Sequence, residues 1–535
     1  MHKYINISAQ YGNDQDRKMN YDSLAQILEE MDRLGIWQTV VEFPAGSNTV
    51  YRAQHLLEDL EKIPNWQERL IPSFAVDVSV MFQRGGVEKL REVLKTVRPS
   101  CINLRPRDNK FRLRMADMVL DQIQDLCGVV FVDKAQLTDA CASDDIVYLA
   151  QRYPELRFVI RRVGYSGYPF VVDVMHRAKN IYVDNSVLHT RSALELFCDM
   201  FGDDRVLFST ESRAYSGAAM AAITFSDLPE ETKNKIRYEN FINLFADTAD
   251  REALTGNLRA IPSKVKNRFW KPFVEDGIAP DVEIYDIHGH MGTTGSDWYL
   301  MDCDFESQVQ VFEKDMDKLH VLKAVTSVSG RPDLIQANLD MERAVGEKKD
   351  HLLGYVRFNP NFAEEFTDEY LDACFSRGYF IGLKTLPGYM KVDIRDERYD
   401  RMFRYAHEHN LPVLIHTWDG NDPGSPWKCA EAAAKWPNAK IILGHTGGST
   451  VGRRECEEIA QDPRYNNVYF EFCGSWGGGP WEETLQKIDH RRVFYGTDAC
   501  LHNMAWEMGR LLSMDLSDEQ LTAILGGNAK ELFGF

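Results

Sequence analysis

Short apolar segments alternate with longer amphipathic segments along the second half of the chain. The eight apolar segments are EIYDIHGH (283–290), VLKAVTSVS (321–329), HLLGYVRFNP (351–360), YFIGLKTLPG (379–388), PVLIHTW (412–418), KIILGHTGG (440–448), NVYFEFCGS (467–475) and RVFYGTDA (492–499). The stretches between them, such as ERYDRMFRYAHEHN, have the pattern of amphipathic helices. Strands that alternate with helices predict a parallel sheet, and eight such units within about 250 residues are what a closed (β/α)8 barrel requires.

The first half of the chain repeats this arrangement. Its apolar segments are KYINISAQ (3–10), QTVVEFPA (38–45), RLIPSFAV (69–76), CINLRPR (101–107), GVVFVDK (128–134), LRFVIRRVG (156–164), NIYVDNS (180–186) and RVLFSTES (205–212). NISAQYG (6–12) matches DIHGHMG (286–292), and RVLFSTE (205–211) matches RVFYGTD (492–498) at a similar offset. The chain is therefore predicted to be a tandem of two homologous TIM-type barrels. The alternative is that two unrelated α/β barrels look alike.

The length of the chain supports a division into two domains. A chain of 535 residues exceeds what one hydrophobic core usually supports. We predict a first barrel over residues 1–260, a linker over 261–280, whose prolines suit a connecting segment, and a second barrel over 281–535.

Composition excludes several classes of partner. A formal net charge of −19 argues against binding to nucleic acid. The N-terminal stretch lacks an apolar segment of signal-peptide length, and no run is long enough to cross a membrane. Ten cysteines without a C-x-x-C pair fit reduced, mostly buried thiols. We therefore expect a cytoplasmic protein.

Polar residues occur at the carboxyl ends of the predicted strands in the second half. His288 and His290 are two residues apart, so they share one face of the first strand. The other strand-end residues are Lys384, His416, His445 and Asp498. Barrel enzymes assemble their active sites at this end from several strands, and structural histidines would have no reason to favour it.

These side chains have the chemistry of a metal site. Three neutral imidazoles and one carboxylate suit Zn²⁺ or another late divalent metal. A catalytic site leaves one position open for water, whose pKa the metal lowers toward about 7.

Taken together, these residues resemble the amidohydrolase superfamily, in particular its amidohydrolase-related branch, which holds hydrolases and non-oxidative decarboxylases. The resemblance covers nearly all of residues 283–535 and includes the closing sequence NAKELFGF. It implies that the metal is held by His288, His290, His416 and Asp498. It further implies that His445 is an acid/base or an oxyanion donor. In the hydrolase hypothesis, Asp498 also helps to take the proton.

Lys384 has two interpretations. In binuclear members of the superfamily, a lysine at this position is carboxylated and bridges two metals. A plain ammonium could instead pair with a substrate carboxylate or with Asp498. We favour one metal ion, most often Zn²⁺ in such a ligand set, with two ions if Lys384 is carboxylated.

Three further residues are candidates for substrate binding. Arg357 ends the third strand and could receive a carboxylate or fix a loop. Trp418 begins the loop WDGNDPGSPW (418–427), a candidate pocket wall, and His502 follows the eighth strand, where a solvated loop histidine is the alternative. The glycines of SWGGGPW (475–481) could allow a lid to move.

The first half has lost this chemistry. Aligning the two halves places the following residues at the positions of the six strand-end residues: Ser8, Gln10, Arg105, Val132, Arg162 and Glu211. Serine, glutamine and valine cannot rebuild a zinc shell, and arginine repels a cation. The first barrel is expected to act as an internal dimer partner. Alternatively, Arg105, Arg161 and Arg162 could form an anion sensor. A homo-oligomer also remains open.

Two reactions fit the second half. The first is hydrolysis of a C–N or ester/lactone bond of a small acidic molecule by metal-activated water. The second is non-oxidative decarboxylation of an aromatic or unsaturated carboxylic acid. A non-catalytic binding or scaffold protein is the third hypothesis, and the complete set of ligands in the second half argues against it.

Overall fold

The structure is a computed structural model of the whole chain. It describes residues 1–14, 17–18, 21–45, 48–210, 212–245, 249–292, 305–328, 334–346, 348, 350–474 and 481–535. The chain divides into two compact units, Met1–Val265 and Lys266–Phe535.

Each unit contains one eight-stranded parallel sheet in which the strands follow each other in chain order. In the first unit the strands are β1 Ile5–Gln10, β2 Gln38–Glu42, β3 Leu70–Val76, β4 Cys101–Leu104, β5 Val129–Asp133, β6 Arg157–Arg161, β7 Ile181–Asp184 and β8 Val206–Leu207. In the second unit they are β9 Ile284–Met291, β10 Val321–Val328, β11 Leu352–Arg357, β12 Phe380–Thr385, β13 Pro412–His416, β14 Lys440–Gly444, β15 Val468–Glu471 and β16 Val493–Phe494. All sixteen predicted strands are confirmed.

Hydrogen bonds between the last and first strands close each sheet. In the first unit, Ile7 N–H donates to Phe208 O over 3.2 Å. In the second unit, Ile287 N–H donates to Tyr495 O over 3.1 Å. The units are therefore two (β/α)8 barrels, as the alternation of segments predicts.

Helices follow the strands around both barrels. The helices of the first unit are Leu24–Leu34, Thr49–Glu61, Gly86–Thr96, Asp117–Ile123, Ala142–Arg152, Tyr168–Arg177, Ala193–Phe201, Ala218–Phe225, Glu230–Asn234, Asn240–Asn243 and Ala249–Asn257. Those of the second are Trp270–Asp276, Phe305–Leu319, Leu334–Val345, Asp368–Phe375, Pro387–Met390, Asp400–His409, Pro426–Lys435, Thr450–Gln461, Trp481–Leu485, Met504–Leu512, Asp518–Thr522 and Asn528–Phe533. None of the helices within the described ranges is long and apolar enough to cross a membrane.

Residues 261–280, the expected linker, are divided between the two units. Ser263 and Lys264 both bond to the carbonyl of Arg33. Trp270 and Phe273 lie on a short helix and are fully buried. Much of this stretch is therefore packed structure.

The cysteines fit the expectation of reduced thiols. All nine cysteines that the structure describes are free, and eight of them are buried.

An irregularity in β9 sets the direction of its side chains. The pairing of β9 with β10 shifts between Asp286 and Gly289. Ile287 belongs to the apolar core of the barrel, whereas the adjacent His288 contacts polar groups of β12 and β15. Such a bulge re-aims side chains, so neighbouring residues both reach the interior. The apolar core thus lies below a polar layer at the carboxyl ends of the strands.

Candidate metal centre

Three buried side chains converge at the carboxyl end of the second barrel. His288 Nε2 lies 3.2 Å from His290 Nε2, and Asp498 Oδ1 lies 3.0 Å from His290 Nε2 and 3.6 Å from His288 Nε2. Each residue exposes less than a tenth of its surface. Three ligand atoms this close can bind one divalent cation.

The backbone holds this cluster together. Asp498 has a φ of +60°, a conformation that few non-glycine residues adopt. Its N–H donates to His288 O over 2.7 Å, and Cys500 N–H donates to His290 O over 3.0 Å. The loop after β16 is therefore fixed directly to the end of β9, and this places the carboxylate beside the two imidazoles.

Lys384 lies in the same cluster. Its Nζ is 2.7 Å from His288 Nε2, and its side chain is fully buried at the end of β12. Burial lowers the pKa of Lys384 to about 8, although the carboxylates of Asp498 and Glu471 act in the opposite direction. Burial therefore weakens the preference of this lysine for its charged form.

His445 and His416 form the neighbouring wall of the site. The ring centroid of His445 is 4.9 Å from that of His288 and 4.8 Å from that of His416. His416 is not part of the His288–His290–Asp498 cluster. Its Nδ1 is buried and has no hydrogen-bond partner among the described residues, which leaves a ligand atom available.

Burial keeps the imidazoles in the state that binds metal. It lowers the pKa of His288 and His416 well below the ordinary value, and it lowers the pKa of His290 and His445 as well. Neutral imidazoles offer a lone pair to a cation. Burial opposes ionisation of Asp498, but His502 and the cluster histidines still hold the pKa of its carboxyl well below its usual range. The donors present therefore fit a divalent metal ion.

Sequence reasoning missed Glu471, which is fully buried at the end of β15. Its Oε2 lies 2.9 Å from His288 Nδ1 and accepts the His445 N–H over 2.9 Å. Burial raises the pKa of Glu471, while His445 and the N–H donors oppose this. The signal was available, because Glu471 is a polar residue at the carboxyl end of a predicted strand.

Sequence reasoning also missed Asp286. Its Oδ1 accepts the His288 N–H over 3.0 Å and the Thr497 N–H over 3.2 Å, and its Oδ2 accepts the Thr497 hydroxyl. Burial raises the pKa of Asp286 to about 7. This residue ties β9 to the segment that carries Asp498.

The structure brings all three substrate-binding candidates to the site, and Arg357 and Trp418 lie beside predicted site residues. Arg357 pairs with Lys384 in the sheet, and Trp418 stacks on His416 with 6.1 Å between ring centroids and an interplanar angle of 12°. Arg357 is buried, its Nη1 donates to Val328 O over 2.5 Å, and its Nε has no hydrogen-bond partner among the described residues. Burial lowers the pKa of Arg357 to about 10.

His502 is 3% exposed, so the alternative of a solvated loop histidine is wrong. Its Nε2 is 3.7 Å from Asp498 Oδ2 and its Nδ1 is 3.5 Å from Glu507 Oε1. His502 therefore supports the Asp498 carboxylate from the side away from His290. The glycines expected to form a lid, within 475–480, lie outside the described residues.

Strand pairing corrects two of the equivalences between the barrels. β5 and β13 both pair with the next strand from their first residue, Val129 with Arg157 and Pro412 with Lys440. The last residue of β5, Asp133, therefore corresponds to His416, so the assignment of Val132 is wrong. The sequence-based equivalence is off by one residue because sequence alone does not fix the register of a strand. A shift of one residue matters, since side chains alternate between the two faces of a strand.

The equivalent of Lys384 also changes. Asn103 pairs with Phe131 and Lys384 pairs with Leu414, and both partners are the third residue of their strand. Asn103 therefore corresponds to Lys384, and the assignment of Arg105 is wrong. Glu211, the equivalent of Asp498, lies outside the described residues.

The first barrel contains an ion-pair network where the second barrel has its histidines. Arg161 is fully buried and donates to Asp133 over 2.9 Å, to Glu42 over 3.0 Å and to Ile7 O over 3.2 Å. Gln10 bonds to the same two carboxylates. Burial raises the pKa of the Asp133 carboxyl, but Arg161 and its neighbouring arginines lower it more strongly. The pKa of Asp133 is therefore held well below its usual range. A guanidinium thus supplies positive charge within this barrel.

The arginines expected to form an anion sensor are already paired. Arg161 has two carboxylate partners, and Arg105 Nη2 lies 2.6 Å from Asp108 Oδ2. Arg162 Nη1 is 3.7 Å from Asp133 Oδ2. These pairs favour a structural role over a sensor.

Comparison with known proteins places the chain in a family. A family model described as amidohydrolase matches residues 12–246 and again residues 285–535. A comparison with curated proteins gives no match.

Several solved structures are similar to about half of the chain. One is a probable 2-pyrone-4,6-dicarboxylic acid hydrolase from Acinetobacter baumannii with citric acid bound; identity is 16% and the TM-score is 0.36, over 48% of this chain and 100% of that chain. Another is a 2,6-dihydroxybenzoate decarboxylase from Rhizobium, with 15% identity and a TM-score of 0.35 over 47% of this chain and 99% of that chain. A third is a dihydroxybenzoic acid decarboxylase from Polaromonas with bound manganese, with 16% identity and a TM-score of 0.36 over 47% of this chain and 97% of that chain. The two matches to the family model lie on the two barrels, and the chain therefore belongs to the amidohydrolase family as a tandem pair.

Proposed function

We propose that the second barrel is a metal-dependent hydrolase that acts on a C–N or ester/lactone bond of a small, acidic molecule. The observation that carries this proposal is the buried convergence of His288, His290 and Asp498 at the carboxyl ends of the strands. Members of the amidohydrolase family are enzymes that bind divalent metal. The donor set of this chain has the chemistry that such an ion requires.

The proposed ligands are His288, His290, His416 and Asp498, and the proposed ion is a single Zn²⁺. When bound, such an ion polarises a carbonyl and lowers the pKa of water. His416 would contribute through Nδ1, which has no hydrogen-bond partner in the part of the chain that the structure describes. A second ion would require Lys384 to be carboxylated, whereas its Nζ lies in direct contact with His288 Nε2.

The proton transfers are assigned to Asp498 and His445. The lowered pKa of Asp498 keeps its carboxylate ionised, as a metal ligand must be. We assign to the same carboxylate the uptake of a proton from the attacking water. His445 Nδ1 lies 3.1 Å from the Cys473 carbonyl, which can only accept, so the ring hydrogen is on Nδ1. His445 Nε2 therefore carries a lone pair, and this favours acid/base work over donation to an oxyanion.

The preference for an acidic substrate comes from Arg357. Among the described residues, the Nε of its buried guanidinium has no hydrogen-bond partner, and the one side chain that raises its pKa is the phenol of Tyr389. A buried cation without a carboxylate partner is costly, and a substrate carboxylate would neutralise it through a charge-assisted hydrogen bond. Trp418, beside His416, would form an aromatic wall of the same pocket.

Non-oxidative decarboxylation is the second candidate, and the observation that favours it is the position of Lys384. A cationic side chain in contact with His288 could hold a carboxylate at the reacting centre itself. His445, once protonated, could then deliver a proton to carbon. The ligands are the same in both reactions.

A substrate panel separates these candidates. Zinc-loaded protein would be incubated with lactones, amides and hydroxybenzoates in ¹⁸O-labelled water, with CO2 measured in parallel. The hydrolase proposal predicts incorporation of ¹⁸O into the product without CO2. Release of CO2 without ¹⁸O would replace it with the decarboxylase. A binding or scaffold protein would be favoured by two results together: no compound of the panel is turned over, and His445→Ala binds these compounds as the wild type does.

For the first barrel we propose a structural role as an internal partner of the catalytic barrel. The carboxylates of Glu42 and Asp133 are neutralised by Arg161 instead of by a metal. We also propose a location in the cytoplasm, which is supported by the free state of all nine cysteines that the structure describes.

A further inference from the structure

Glu471 is the meeting point of hydrogen bonds from three parts of the second barrel. Its Oε2 lies 2.9 Å from His288 Nδ1 and accepts the peptide N–H of His445 over 2.9 Å. Its Oε1 accepts the peptide N–H of Cys473 over 2.5 Å. The side chain is fully buried, so no water competes for these bonds.

Two interpretations of this arrangement must be separated. Ligand atoms of His288, His445, Glu471 and Cys473 lie within 4.8 Å of one another, which would suit a second metal ion. However, both carboxylate oxygens already accept peptide hydrogens, and the Nδ1 hydrogen of His445 bonds to the Cys473 carbonyl. The donors are engaged with each other, so the geometry favours a hydrogen-bonded support for His288 over a second ion.

The first barrel contains a version of the same feature without metal ligands. β7 and β15 pair with their preceding strands in the same register, so Asp184 corresponds to Glu471 and Arg162 corresponds to His445. Asp184 Oδ1 accepts the Arg162 N–H over 2.8 Å, and the φ angles of Arg162 and His445 are +60° and +62°. The carboxylate therefore holds this unusual backbone conformation in both barrels, independently of any metal.

The difference between the two carboxylates is one methylene group. In the first barrel Ser8 replaces His288, there is no imidazole to reach, and an aspartate suffices. In the second barrel the longer glutamate holds the backbone and also reaches His288 Nδ1. The extra length thus coincides with the presence of the histidine.

We propose that Glu471 is a positioning residue that fixes His288 in the tautomer and orientation needed to bind the metal. This inference rests on the proposed function, because it concerns a proposed ligand. A hydrogen on Nδ1, donated to Glu471, leaves the lone pair on Nε2. That nitrogen faces the ligand cluster, 3.2 Å from His290 Nε2. Removing such a partner typically weakens metal affinity about ten- to a hundredfold.

Gly496 provides independent support for a close fit. A β-carbon at this position would lie 2.7 Å from His288 Cβ and 2.9 Å from Glu471 Cδ. Real β-carbons do not approach other atoms this closely, so only glycine fits beside the pair. The contact between Glu471 and His288 is therefore enclosed on this side by the backbone of the segment that leads to Asp498.

The discriminating variant is Glu471→Asp in the full-length protein. It copies the first barrel, because an aspartate can still hold the His445 N–H but ends short of His288. The apo protein would be titrated with Zn²⁺ against a chromophoric chelator, its thermal unfolding followed, and its Co²⁺ spectrum recorded. Glu471→Gln serves as a second variant of unchanged size. Glu457→Gln is the matched control, because Glu457 is a buried glutamate of the same barrel that bonds to Thr484 and Lys487.

We expect Glu471→Asp to lower Zn²⁺ affinity about ten- to a hundredfold and to change the Co²⁺ spectrum. The apo protein should stay folded, with an unfolding midpoint lowered only by the small amount that loss of one buried methylene group and its contact brings. If both Glu471 variants bound Zn²⁺ with wild-type affinity, the inference would be overturned. It would also be overturned if Glu457→Gln lost as much Zn²⁺ affinity as the Glu471 variants. A second equivalent of metal in the wild type that disappears in Cys473→Ser would show that the cluster is itself a metal site and would also overturn it. A wild type that binds no ion would overturn the proposed function and this inference with it.

Discussion

A β-carbon on Gly496 would lie 2.7 Å from the Cβ of His288, closer than non-bonded carbon atoms approach. Gly496→Ala should therefore displace His288 and lower Zn²⁺ affinity. Loss of a contact that supports a ligand typically lowers metal affinity about tenfold or more, and we expect at least that effect here. The affinity of the purified apo protein would be measured by competition titration. Gly527→Ala in the same barrel is the control, because its new β-carbon would meet only Thr522 O at 3.6 Å. Equal affinities of the two variants would contradict the account.

Arg161→Met should destabilise the first barrel. It would leave the buried carboxylates of Glu42 and Asp133 without their main cation, and breaking a buried pair from one side costs about 3–5 kcal/mol. The change should appear as a lower urea midpoint for one unfolding transition, while the zinc stoichiometry of the protein stays the same. Arg177→Met is the control, since its exposed ion pairs with Asp144 and Asp173 contribute about 0–1 kcal/mol. A variant as stable as wild type would remove the structural role of Arg161.

Asp184 predicts a pH dependence of stability in the first barrel. Burial raises the pKa of its carboxyl to about 6 from 3.8, so the folded state keeps this proton after the unfolded state has released it. Ionisation of Asp184 therefore reduces the free energy of unfolding as the pH rises from 3.8 to about 6, and the reduction stays complete above that pH. In Asp184→Asn this dependence should vanish.

The Asp184→Asn variant should accordingly gain stability relative to wild type between pH 4 and pH 7, by up to about 3 kcal/mol. The free energy of unfolding in urea would be measured for both proteins at both pH values. The difference between variant and wild type, compared between the two pH values, removes the contributions of all other titrating groups. The asparagine oxygen can still accept the Arg162 N–H, so the backbone contact is retained. A difference that does not change with pH would show that Asp184 is ionised in the folded state.

Arg357→Gln should discriminate between acidic and neutral substrates. Loss of a charge-assisted hydrogen bond of about 1.5–3 kcal/mol predicts a kcat/KM lower by about ten- to a hundredfold for a carboxylated substrate. The neutral amide of the same compound should be turned over by both proteins at similar rates. If kcat/KM fell equally for both compounds, Arg357 would instead have a structural role, in which it holds the backbone through its hydrogen bond to Val328 O.

The strands and most of the site follow from the sequence because two simple rules apply to them. Parallel strands buried on both faces form continuous apolar runs, and the active site of a barrel lies at their carboxyl ends. Lys384, His445 and Asp498 obey the second rule and meet around His288. Glu471 obeys it as well and could have been found in the same way.

The remaining features depend on register and packing, which a single sequence does not specify. Asp286 becomes part of the site only because β9 is irregular between Asp286 and Gly289. The equivalents of Lys384 and His416 in the first barrel required the observed strand pairing, which placed Asn103 and Asp133 there. Arg161 comes from a position that is glycine, Gly444, in the second barrel, and only the contacts show that its guanidinium fills the centre of the network.

The central claim is that His288, His290 and Asp498 hold a divalent cation, and metal analysis of the reconstituted protein tests it most directly. Wild-type protein and His290→Ala would be stripped with chelator, reloaded with Zn²⁺, freed of excess metal and analysed by mass spectrometry of the element. We predict one equivalent of zinc in the wild type and little in the variant. A wild type that retains no zinc, or a variant that retains as much as the wild type, would contradict the account.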